Sequence, residues 1–259
     1  MIFTMGSGVS ATTAARWVER WECQQQRYAV DREERCTVIA DVVEHAGRGR
    51  SGQVVVDLGS GPGALAARLA ARLPGARVLA VDADPLLLEL GRAYYGDGDR
   101  LRFVRALIGA PGWREALGLD RQVDAVVSTT ALHYLGRDAL GGVYRDLAGL
   151  LRPGGVFVNG DHIGPDAPRI RDLALDVARR HADRSLDALH EDWESWWSGA
   201  AEDPELAPFL SCPDTPGHPP CEDPDLPVSG HAALLHEAGF AQVGTVWQHG
   251  TSRVLVAVR

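Results

Sequence analysis

The stretch Val54-Val55-Val56-Asp57-Leu58-Gly59-Ser60-Gly61-Pro62-Gly63 decides how the rest of this chain is read. A run of β-branched residues suits a buried strand over 53–58, and the chain then turns abruptly glycine-rich before a helical pattern over 64–73 that stops at Pro74-Gly75. Glycines let a backbone turn sharply and approach a ligand without Cβ clashes, and the start of the following helix presents free N–H groups. A nucleotide-like ligand is the natural occupant of such a loop. Asp82 lies at the end of a second strand over 77–81, at about the twenty-residue spacing from which an acid accepts both ribose hydroxyls. A tight turn followed by a solvated acid is the plain structural alternative.

Outward from this unit, strand and helix signals alternate. A helix over 85–95 leads to strands over 101–106, 123–128 and 155–159, each a short apolar run. Continuous apolar strands separated by helices mean a parallel sheet covered on both faces. Upstream, 12–46 reads as one or two helices, with Trp17 and Trp21 four apart on one face and a break near 28–31. After the fifth strand the rhythm breaks. Residues 164–227 intervene, helical through 170–197 and then irregular through 203–227, which holds eight of the fifteen prolines. A helix over 230–238 and strands over 243–248 and 253–258, joined at His249-Gly250, close the chain as an antiparallel hairpin. The expected architecture is α/β: a doubly wound, mostly parallel seven-stranded sheet. Residues 51–163 and 228–259 form its body, 1–50 a helical cover and 164–227 an inserted lid.

Composition removes competing classes. Of 259 residues, 45% are hydrophobic and 24% charged, which is ordinary globular usage. A net charge of −9 repels phosphate backbones and anionic lipid, so nucleic acid and membrane surfaces are not expected partners. The N-terminal residues lack a signal-peptide pattern and no apolar run is long enough to span a bilayer, so a cytoplasmic protein is expected. Cys23, Cys36, Cys212 and Cys221 form no CxxC pair and read as reduced thiols. Cys212, His218 and Cys221 lack a fourth ligand and match no structural zinc spacing, so no metal is expected there.

The glycines alone leave two ligands open, because Gly59, Gly61 and Ala64 also satisfy the dinucleotide pattern. Asp57 two positions before the first glycine, Pro62, Gly63 and the terminal hairpin tip the balance. In these features the chain resembles the class I S-adenosylmethionine-dependent methyltransferases of the small-molecule type, over about half its length. The resemblance implies S-adenosyl-L-methionine as cofactor and a small-molecule acceptor methylated at O, N or C. It implies that Asp57, Gly59, Ser60, Gly61 and Gly63 meet the methionine part and that Asp82, with Ala83 beside it, holds the ribose. Leu151-Arg152-Pro153-Gly154-Gly155 is similar to the family's turn into strand five, and the block from Thr129 to Leu135 to its segment running along the cofactor toward the substrate. Tyr28 and Arg32 resemble an entry segment that closes over the cofactor carboxylate or the substrate; an exposed helix start is the alternative. Leu107 stands where the family commonly places an acid for the adenine amino group. That departure keeps open a cofactor-binding protein of this fold that transfers no methyl.

Methyl transfer asks for alignment and exclusion of water, and for a base only where the acceptor carries a proton to be lost. His162 after strand five and His133 after strand four stand at strand ends where such a base would work, with Asp161 able to orient His162 or to cap the next segment. His162 is the first candidate because the acceptor side should begin past strand five. Trp193, Trp196 and Trp197 share a helix face with Leu189, which suits packing against the body or a wall over the substrate.

Overall fold

The computed structural model describes residues 8–28, 31–184, 191–210 and 226–259. Among these, seven strands form one sheet: β1 (Val54–Leu58), β2 (Arg77–Asp82), β3 (Leu101–Arg105), β4 (Val123–Thr129), β5 (Leu151–His162), β6 (Gln242–His249) and β7 (Ser252–Val258). Their spatial order is β3-β2-β1-β4-β5-β7-β6, with β7 antiparallel to both neighbours and the other pairs parallel. β1 is buried at all five positions, as a central strand covered on both faces must be. Between β1 and β4 the strand order reverses, which opens a crevice at the carboxyl ends of the strands.

Successive strand residues point to opposite faces, so each strand feeds two cores. Val54, Val56 and Leu58 pack with Leu147 of α6 (Arg137–Leu150) and Leu235 of α10 (Val228–Ala238). Val55 packs with Ile39 of α2 (Arg32–Ala46), Leu69 of α3 (Ala64–Arg72) and Leu88 of α4 (Pro85–Tyr95). A third layer forms where α1 (Ala11–Tyr28) lies on α4: Trp17 and Trp21 meet Leu86 and Leu90 there, together with Trp196 of α8 (Trp193–Glu202). Local chemistry sets several boundaries. Pro85 starts α4 behind Asp84, whose carboxylate accepts from the N–H groups of Leu86 and Leu87, and Gly239 ends α10 in the left-handed region.

Four expectations on elements are corrected. The pattern over 170–197 is two helices, α7 (Pro168–Arg184) and α8, because Asp192 caps a new helix by accepting from the Ser195 N–H. Residues 207–210 form a short helix, α9 (Ala207–Leu210), inside the stretch expected to be irregular. β5 starts four residues early: Leu151 pairs with Val123, and an irregularity absorbs the Pro153-Gly154-Gly155 turn before Val156 pairs with Ala125. The hairpin turn falls at 250–251, since His249 still pairs with Ser252. The sequence reading also passed over α6 and the short α5 (Trp113–Ala116). Cys212, His218, Cys221 and Leu189 lie outside the described residues. Cys23 and Cys36 are free thiols, and no helix among the described residues is long and apolar enough to cross a membrane.

Candidate active site

A cavity of about 460 Å³ opens at the carboxyl ends of β1, β2, β4 and β5, the size of a small-molecule pocket. Its floor is the loop after β1. The N–H groups of Gly59 and Ser60 donate to the Val81 carbonyl at 2.8 and 3.0 Å, and the Gly61 N–H donates to Asp82 at 2.7 Å. The loop is thereby tied to the end of β2. Gly59 has φ +68°, and a Cβ there would come 2.2 Å from that of Ala131, so only glycine lets the loop lie this close to the segment after β4.

Of the residues picked out in the sequence, Arg32, Gly59, Ser60, Gly61, Asp82, Ala83, Leu107, Thr129, His133 and His162 line this cavity. Gly63 does not. It faces Phe103, whose ring a Cβ would meet at 2.6 Å, so it serves the packing of α3 on the sheet. Asp57 does not line it either: it is fully buried, on the β1 face shared with Val55. The Tyr28 side chain lies outside the described residues.

Burial governs the acids beneath the loop. Desolvation pushes the Asp57 carboxyl up to about 7; the Ala66 N–H pulls it down, but neither oxygen has a partner in hydrogen-bonding geometry. Asp82 is pushed up to about 6 for the same reason, against the N–H groups of Asp84 and Gly61 that bond its two oxygens. Arg32 is buried, gives Nη2 to Glu22 at 2.7 Å and leaves Nε without a partner. The Thr129 hydroxyl at the end of β4 is also buried and unpartnered.

The two histidines differ. His133, in a single 3-10 turn (Leu132–Tyr134), holds Asp161 Oδ1 through its Nδ1 at 2.8 Å. The same oxygen accepts from the backbone N–H of His162 at 2.9 Å, while the His162 ring is exposed at the cavity rim. Asp161 therefore orients His133, a partner the sequence did not suggest; of its two expected roles, orienting His162 or capping the next segment, it meets His162 through the backbone N–H, since neighbours on a strand point to opposite faces. Burial would lower the His133 pKa, but the hydrogen bond and charge of Asp161 outweigh it and the net shift is upward. Asp161, buried itself, is held below the usual carboxylate range chiefly by His133, against the desolvation that opposes it.

The sequence reading missed Gln25 as a wall residue and took Trp21 only as part of a helix face; both line the cavity. They are four apart on α1, so one stripe supplies both. The tryptophans of α8 divide: Trp193 lines the cavity, and Trp196 is fully buried against Trp17 and Trp21 at ring distances of 5.2 and 5.0 Å.

Comparison with known proteins agrees with this geometry. Residues 55–155 match the family described as "Methyltransferase domain". Over these residues the chain is similar to methyltransferase domains. A trans-aconitate 2-methyltransferase of Methylobacterium radiotolerans is 38% identical over 105 residues, covering 40% of this chain and 36% of that protein. Its counterpart in Streptomyces coelicolor is 32% identical over 144 residues, covering 53% and 44%. The chain thus spans less than half the length of these relatives. Magnesium protoporphyrin IX methyltransferase of Synechocystis, solved with bound SAH, superposes with a TM-score of 0.54 at 16% identity, over 93% of this chain and 94% of that one. At that identity the likeness speaks to the fold, a Rossmann-like sheet of the class I methyltransferase type.

Proposed function

We propose that this chain is an S-adenosylmethionine-dependent methyltransferase of a small molecule whose acceptor atom carries a proton, with His133 as the base. The observation that carries the reading is His133, held from behind by Asp161, on the wall of the same cavity whose floor is the Gly59–Gly61 loop. The site fits the cofactor on its own terms. Gly59 lets the loop close against the segment after β4 to form the floor, and Asp57 keeps a buried carboxyl with no hydrogen-bond partner below the loop, which a positively charged ligand nearby would draw toward its ionised form. Asp82, held in place by the loop amides, would hold the sugar, Leu107 would flank the adenine and Arg32 would face a carboxylate. When bound, the cofactor supplies an electrophilic methyl group.

Asp161 fixes the ring of His133 through Nδ1, and Nε2 is the nitrogen that would take the acceptor proton. Trp21 and Trp193 exclude water from one side. Residues 164–227 act as a lid, 1–50 as a cover, and 51–163 with 228–259 as the cofactor-binding body. The net charge of −9 supports a metabolite in the cytoplasm over nucleic acid or membrane.

His133→Ala is expected to slow single-turnover methyl transfer by about 10² to 10⁴ while cofactor affinity stays within a few-fold. The wild-type rate should rise with pH through a pKa above that of free histidine, because the base works only when deprotonated and its pKa is raised. A second reading, ester formation on a carboxylate, is favoured by buried Arg32 on the wall with its unpartnered Nε. A carboxylate has no proton to lose at neutral pH. Under that reading His133→Ala keeps its rate and Arg32→Ala loses acceptor affinity.

A further inference from the structure

Three segments far apart in sequence converge on one point away from the cavity. Asp31 stands at the junction of α1 and α2, His181 in the last turn of α7, and His249 at the end of β6. Asp31 Oδ2 meets His249 Nδ1 at 2.6 Å and Asp31 Oδ1 meets His181 Nε2 at 3.5 Å. One ligand atom from each residue lies within 4.8 Å of the others. Packing behind them explains the convergence. Gly250 in the hairpin turn lies so close to α7 that a Cβ would come within 3.0 Å of the Ala174 carbonyl and the Ala178 Cβ. Ala174, Ala178 and His181 recur at helical spacing, so the α7 face that docks on the hairpin is the face that brings His181 beside His249.

We infer that Asp31, His181 and His249 form a binding site for one Zn(II) ion. Two imidazole nitrogens and a carboxylate oxygen are a borderline donor set that suits zinc better than magnesium or calcium, which prefer all-oxygen shells. A zinc ion bound at about 2.0–2.2 Å from each ligand needs donor atoms somewhat over 3 Å apart. With one donor atom from each residue within 4.8 Å of the others, binding calls for a small inward adjustment of the side chains. Water completes the tetrahedron on the exposed side, where Asp31 is 39% accessible. The ion fastens α7 and the hairpin to the α1–α2 junction, one residue before Arg32 of the cavity wall. This site does not depend on the proposed methyl transfer.

The test uses the whole chain, stripped of metal by chelation and dialysis, with Zn(II) titrated against a chromophoric chelator. One ion per chain is expected, with His181→Ala and His249→Ala each weakening it by about 100-fold or more, beyond the loss of an outer-shell partner. Asp31→Asn keeps the shape and should weaken it too. Zinc should raise the melting temperature of the wild type and not of a His181→Ala/His249→Ala double variant, whose circular dichroism without metal reports whether it folds. Co(II) should bind without a thiolate charge-transfer band. Failure of the wild type to bind, unchanged binding in the double variant, or a thiolate band pointing to Cys212 and Cys221 would each overturn the assignment.

Discussion

Asp57 at the end of β1 and Asp161 at the end of β5 are both buried, yet burial leads to opposite ends for them. Asp161 has His133 and a backbone N–H, and is held below the usual range. Asp57 has no bonded partner and is driven up to about 7. Desolvation acts on both; the partner decides the charge. The charge at Asp161 also faces Arg35 of α2, a fully buried guanidinium whose pKa burial lowers and Asp161 raises. One acid stays ionised because it is partnered, and the other is pushed toward its neutral form because it is not.

Removing the charge of Asp161 should have the larger effect. In Asp161→Asn, buried Arg35 loses a nearby negative charge and His133 loses the carboxylate on its Nδ1, so stability should fall, by more than the next variant gains, read by denaturant melts. The same variant should move the acid limb of the rate profile to lower pH, since the group that raises the His133 pKa is gone. An unmoved limb would detach Asp161 from the base. Asp57→Asn should act in the other direction and less strongly. A carboxyl whose folded pKa is raised loses stability as pH climbs from its unfolded value of 3.8 to about 7. The asparagine variant should therefore gain stability relative to wild type across that window and hold the gain above it, on the order of 1–3 kcal/mol, while binding cofactor more weakly. Equal pH profiles for the two would mean that Asp57 is compensated. The smallest effect is expected from an acid placed in the open. Leu107 is 57% exposed at the cavity, so Leu107→Asp should tighten cofactor binding by a few-fold to about tenfold in calorimetry if the adenine edge faces it.

The sheet was legible because its signals are local. Val54 to Gly63, Asp82 and the terminal hairpin each carry their meaning within a few residues of themselves. α6 was not, because Gly141, Gly142 and Gly149 weaken its helical pattern, and its stability comes from Leu147 and Tyr144 packing under the sheet. Trp21 and Gln25 became wall residues only through the docking of α1 on α4, which no local pattern states. The pairing of Asp161 with His133 lay between these cases. The register of β4 on β5, with Thr129 opposite Gly160, brings the two strand ends side by side, and it is a tertiary fact. That Asp161 and His162 point apart follows from strand alternation alone, and could have been read from the sequence.

Trp21 lines the cavity and packs its ring against Trp193, Trp196 and Trp197, so the wall of the site and the keystone of the α1–α8 layer are the same ring. A segment joined to the body in this way is not an exchangeable module. Replacing residues 164–227 to change which acceptor enters would also withdraw the support beneath α1. Variation in acceptor choice on this scaffold should therefore run through single positions such as Trp193, with Trp196 left in place to hold the shape that those changes work upon.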